Sequence, residues 1–107
     1  MDLIDAALVR EQFDALDPAT VRLLRDALQG DLREWSGKLI SAWSAGDDAA
    51  ISRARHALKG LCGNFGATAL EALAQQDLAG EAERVRLTGC MEETIAAILD
   101  VTAASGQ

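Results

Sequence analysis

The chain has 107 residues and sets 17 acidic against 10 basic side chains, for a formal net charge of -7 with its single histidine neutral. Half of it is hydrophobic, which suits one small folded domain over residues 1–107. It is too short to hold a nucleotide-binding lobe, and it has no glycine-rich phosphate loop, so no ATP-dependent kinase activity of its own is expected. The acid excess, with no lysine/arginine cluster to offset it, argues against nucleic acid and anionic membrane surfaces as partners.

Residues 6–16 predict a short first helix with Leu8, Phe13 and Leu16 as its apolar positions. Asp17-Pro18 then breaks it and starts a second, because aspartate caps helix N-termini and proline suits the first helical position. This helix runs to about Ser44, where Ala45-Gly46-Asp47 stops it. Its seam is Val21, Leu24, Leu28, Leu32, Trp35, Leu39 and Ile40, at steps of mostly three and four. Trp35 is expected in the core and Trp43, near the helix end, partly exposed.

Asp47 or Asp48 caps a third helix carrying Ile51, Ala54, Leu58, Leu61, Cys62 and Phe65, with Gly66 as its stop. A fourth helix begins near Ala67 with Leu70, Leu73 and Ala74 and reaches Leu78 before Ala79-Gly80. The last takes Val85, Leu87, Met91, Ile95, Ile98, Leu99 and Val101 over about twenty residues and frays into 103–107. Composition agrees with an all-α protein: alanine and leucine dominate and β-branched residues never cluster in alternating runs. Short connections make neighbours antiparallel, so the expected architecture is an antiparallel four-helix bundle with a short additional N-terminal helix. The apolar Leu3, Ile4 and Leu8 either cap the bundle end, the favoured reading, or extend a docking patch.

The longest apolar stretches, such as 95–99, fall far short of a membrane span, and Met1-Asp2 opens no basic leader, so a soluble cytoplasmic protein is expected. Cys62 and Cys90 have neither metal-type spacing nor a disulfide framework and read as reduced structural thiols. All the stripes can be satisfied within one bundle, which makes a monomer the simpler expectation.

The residue that does not belong to the core is His56. At about 100° per residue it points roughly 180° from the mean direction of Ile51, Ala54, Leu58, Leu61 and Phe65. Lys59 and Gly60 follow one turn later on the same face, and Gly63 two turns later. An interior glycine costs about 1 kcal/mol relative to alanine, so this helix gives up stability at two positions beside an outward imidazole. The gaps let another macromolecule approach the ring, and Lys59 can neutralise an anion placed on it. An imidazole with an ordinary pKa of about 6.5 is largely neutral at pH 7 and offers a nitrogen for in-line attack on phosphorus. Gly60 and Gly63 have a packing alternative, close helix–helix approach. Arg53 and Arg55 flank the face either as solubilising charges or as contacts for an acidic partner.

His56-Ala57-Leu58-Lys59-Gly60, followed by Gly63-Asn64-Phe65-Gly66-Ala67, resembles the signature of histidine-containing phosphotransfer (HPt) domains of bacterial two-component phosphorelays. The resemblance implies that His56 carries a phosphoryl group, that Lys59 stabilises its charge, and that Gly60 leaves room for a receiver domain. It implies response-regulator receiver domains and a hybrid histidine kinase as partners. It also implies no cofactor in this chain, with magnesium (Mg2+) on the partner receiver. The expected function is a phosphorelay intermediate; the alternatives are a non-catalytic adaptor using the same face, or a purely structural bundle. Two departures stand out. Leu78 occupies the position where some members hold a histidine-bonding glutamine, leaving Gln75, one turn earlier, as a candidate substitute. The region after Gln76 is also shorter than a full helix pair, which suggests a truncated or tilted far end.

Overall fold

The protein is described from a computed structural model over residues 2–105; Met1 and the tail residues Gly106 and Gln107 lie outside the described residues. Five helices follow in order: α1 (Ala6–Asp14), α2 (Pro18–Ala45), α3 (Asp48–Phe65), α4 (Thr68–Ala74) and α5 (Glu81–Val101), with no strand among the described residues.

The first three helices start for one repeated reason. Asp5, Asp17 and Asp47 each turn a side-chain oxygen back to accept the backbone N–H three residues on, from Leu8, Thr20 and Ala50 at 3.1, 2.8 and 3.1 Å. Thr20 gives Asp17 its backbone N–H and its hydroxyl, and these bonds hold that carboxyl below the usual carboxylate range. Gly46 and Gly66 end α2 and α3 in the left-handed region, at φ 67° and 69°. Gly66 is constrained twice over, because a Cβ there would lie 3.0 Å from the Asp5 carbonyl oxygen.

That contact belongs to a wider junction. The Asp5 N–H donates to the Gly66 carbonyl at 2.8 Å and the Ala69 N–H to the Leu3 carbonyl at 3.2 Å. The Thr68 hydroxyl donates to the Asp2 carbonyl at 3.3 Å. The N-terminal stretch therefore caps the corner between α3 and α4, and Phe13 of α1 meets Phe65 with ring centroids 6.3 Å apart.

The 28 residues of α2, at about 1.5 Å each, nearly span the 45 Å long axis. It packs against α3 on one side and α5 on the other, α4 bridges α3 and α5, and α1 lies against α5 and α3. The bundle is as expected, but several core assignments need correction. Val9, not Leu8, is buried with Phe13, because four residues return to one helix face and five do not. Leu24, Trp35 and Ile40 are only half-buried, and Ser36 takes the seam position beside Trp35. Trp35 faces the edge, where Lys38 Nζ sits 4.3 Å from its ring centroid. Val85 is 64% exposed, since it lies about 160° around the helix from Leu87, and Thr94, polar by type, is fully buried two turns further on.

The region after Gln76 holds the single long helix α5, and the short element is α4, which ends at Ala74 instead of reaching Leu78. α4 has seven residues, and α5 runs a full 21. Leu78 is off any helix yet buried, inserted from the α4–α5 connection into the core.

Ser36 is 1% exposed, and its hydroxyl has no hydrogen-bond partner among the described residues. Burying an unpaired hydroxyl is unfavourable, and alanine is the better helix former. Ser36→Ala is expected to stabilise the fold by about 1 kcal/mol. A urea midpoint at or below that of the parent would contradict this.

Candidate functional site

α3 is held at both ends, by the Asp47 cap and by Gly66, and presents two faces. Ile51, Ala54, Leu58 and Cys62 are buried, while His56, Lys59, Gly60 and Gly63 are exposed, as the periodicity predicted. A Cβ added at Gly60 or Gly63 would meet nothing within 4 Å. The packing explanation for these glycines therefore fails: this chain does not need their missing side chains. Gly30 and Gly37 of α2 and Gly89 of α5 have the same open surroundings, so what distinguishes Gly60 and Gly63 is their place on the His56 face.

His56 and Lys59 border a cleft of about 440 Å³ between α3, the end of α2 and the end of α4. Gln75, the residue just past α4, lines the same cleft, as does Trp43, whose indole N–H is buried without a hydrogen-bond partner among the described residues. Lys59 forms no ion pair among the described residues. It is an exposed cation one turn from an exposed imidazole. Asp48 at the cleft's edge adds one carboxylate.

The two arginines expected to flank the histidine face diverge. Arg53 is exposed and lines a different groove, between α2 and α3, together with Trp35 and Lys38. Arg55 is half-buried and occupied within the chain. Its Nε donates to the Ala74 carbonyl at 3.1 Å, its Nη2 donates to the Gln76 carbonyl at 2.6 Å, and its guanidinium lies 5.3 Å from the Trp43 ring centroid. It is not the free surface charge that its sequence position suggested. Arg84 of α5 does similar work nearby, donating from Nη1 to the Leu78 and Ala79 carbonyls at 3.1 and 2.7 Å. Sequence reasoning missed Trp43 and Arg84 as parts of this region; the only signal for either was an aromatic or a cation close to a helix end.

The family model for the Hpt domain matches residues 18–103, most of the chain. The chain belongs to the Hpt domain family. No curated protein and no solved structure gives a significant match. Hpt domains are helical bundles that serve phosphotransfer in phosphorelays and interact with the receiver domains of two-component systems. The match begins at the first residue of α2, so α1 and the N-terminal stretch that caps the α3–α4 corner precede the matched residues.

Within this Hpt domain the cysteines stand apart from the exposed chemistry. Burial pushes the Cys62 thiol up to about 12, and burial also raises Cys90, so neither is a ready thiolate nucleophile near neutral pH. No cluster of histidine, cysteine and carboxylate side chains suited to a metal ion occurs among the described residues. No helix there is long and apolar enough to cross a membrane.

Proposed function

We propose that His56 accepts a phosphoryl group from the aspartyl phosphate of a response-regulator receiver domain and passes it to a second receiver. The observation that carries this reading is the arrangement on α3. The chain's one histidine stands exposed in a cleft with a lysine that forms no ion pair among the described residues, followed on the same face by two glycines whose missing side chains the fold itself does not require.

The chemistry balances without a redox partner. A neutral imidazole nitrogen attacks phosphorus in line, an N–P bond forms, and the P–O bond of the acyl phosphate breaks. The aspartate leaves as a carboxylate, and the other ring nitrogen keeps its proton. In the reverse sense the phosphoramidate delivers the same group to the next aspartate. Lys59 offsets charge on the phosphoryl oxygens as they cross, and Gly60 and Gly63 let the receiver's active-site edge approach α3. Magnesium held by the receiver supplies further charge neutralisation. A hybrid histidine kinase stands upstream, and the domain works as a monomer in the cytoplasm. Arg53, on a neighbouring groove, contacts the edge of a docked receiver and not the transferring group.

The test is transfer of labelled phosphoryl from a panel of phosphorylated receivers in the presence of magnesium. Acid-labile, base-stable label on the wild-type chain supports the relay reading. Receiver binding with no label on the domain from any of them would overturn it in favour of an adaptor.

Gly60 provides a second, opposite-signed check. Because a Cβ at Gly60 meets nothing within the chain, Gly60→Ala is expected to raise stability by about 1 kcal/mol through helix propensity alone. The same methyl should slow transfer by obstructing the receiver. A variant that is both more stable and fully active would remove Gly60 from the docking role.

A further inference from the structure

We infer that Arg55 is a positioning residue of the phosphotransfer site: it fixes the chain's exit from α4 so that Gln75 stands in the cleft with His56 and Lys59. The inference rests on the reading of His56 as phosphoryl acceptor, and deepens it.

α4 is only seven residues long and has no side-chain cap at its start, so it has little means of its own to set where the chain goes next. Its last carbonyls have no partners within the helix. Arg55 supplies a donor to the last of them, the Ala74 carbonyl, and a second to the Gln76 carbonyl two residues beyond the helix. These two residues bracket Gln75. A guanidinium is a planar fork, so bonds to both carbonyls fix them relative to each other and to α3, where Arg55 immediately precedes His56. Trp43 braces the fork from α2 through its ring face. From the far side Arg84 holds the carbonyls of Leu78 and Ala79, and Leu78 is anchored in the core. The connection is thus held at both ends, and its first residue is the amide side chain that lines the cleft.

This arrangement accounts for a glutamine that reaches the cleft from a position one turn earlier than the one filled by Leu78. It also predicts that charge at residue 55 is insufficient. Lysine keeps the charge but, as a point donor, cannot reproduce the fork across two carbonyls.

Transfer from a phosphorylated receiver with magnesium should be timed for wild type, Arg55→Lys, Gln75→Ala and the double variant, at a temperature where circular dichroism shows all four folded. Each single substitution is expected to slow transfer about tenfold, as for a misplaced contact at a reacting centre. The double variant should be no slower than the slower single, since both changes remove the same placement. Wild-type speed in Arg55→Lys, or effects that multiply to about a hundredfold in the double, would overturn the proposal.

Amide exchange gives a readout independent of activity. The N–H groups of Gln75 and Gln76, bonded to the Ala72 and Leu73 carbonyls, should exchange faster in Arg55→Lys, and unchanged protection would also overturn it. Label on wild type but not on His56→Gln, with Arg55→Lys unimpaired, removes only the Arg55 role. No label on wild type removes the acceptor reading itself, and the transfer role of Arg55 with it.

Discussion

His56→Gln is expected to take up no phosphoryl group from any receiver while unfolding within about 0.5 kcal/mol of the parent. Glutamine approximates the size and polarity of the imidazole but has no nitrogen lone pair able to attack phosphorus. The side chain is exposed and makes no hydrogen bond among the described residues, so the fold loses nothing that it used. Helix propensity, if anything, favours glutamine slightly. Radiolabel transfer and a denaturation curve on the same preparation check both halves. Label on the glutamine variant would sink the assignment, and a large loss of stability would mean that the imidazole has a structural task instead.

Leu58→Ala, two residues on, should do the reverse. Leu58 is fully buried on the opposite face of α3. Truncation there removes apolar contacts and leaves a cavity that the surrounding helices fill only partly, at a cost of about 2–5 kcal/mol. For a small domain with stability of about 5–15 kcal/mol, that is a large share of the total. Below its unfolding midpoint the variant should still accept phosphoryl at nearly the parental rate per folded molecule, because nothing in the cleft has been altered. Urea denaturation giving a loss under about 1 kcal/mol would show that the core around Leu58 relaxes far more readily than its complete burial implies. The pair of substitutions separates the two faces of one helix: one side loses chemistry, the other loses stability.

The features legible in the sequence were those set by local chemistry. Asp17 and Asp47 as caps, Pro18 at the first helical position, Gly46 and Gly66 as left-handed ends, and the outward direction of His56 all depend on residues within a few positions of one another. The features that were not legible depend on what lies across the bundle. Ser36 and Thr94 are polar by type, yet both are buried in the packed bundle. Leu78 continued a helical spacing past the true end of α4, but it is buried by a turn held by Arg84 and not by a helix. Val85 is apolar by type, yet its angle on α5 places it on the outer face. Arg55 and Arg53 looked equivalent beside His56. Only the three-dimensional position of two backbone carbonyls turns one inward, while the other lines a separate groove. Gln75 joined the candidate site through the family resemblance, and its place in the cleft depends on the same tertiary detail.

His56 sits near the middle of an 18-residue helix locked at both ends, rather than on a loop. Fraying is confined to helix ends, so a partner meets a backbone that is already ordered and association carries no cost for organising it. The glycines extend this benefit to the side chains. A lysine or glutamate immobilised under a docked partner gives up as much as about 2 kcal/mol of rotamer freedom, whereas Gly60 and Gly63 have no rotamers to freeze. Beside His56 itself, the entropic penalty of immobilising side chains falls on Lys59 and Gln75, and at the two glycine positions it is absent. That leaves a surface suited to brief, repeated encounters with successive partners.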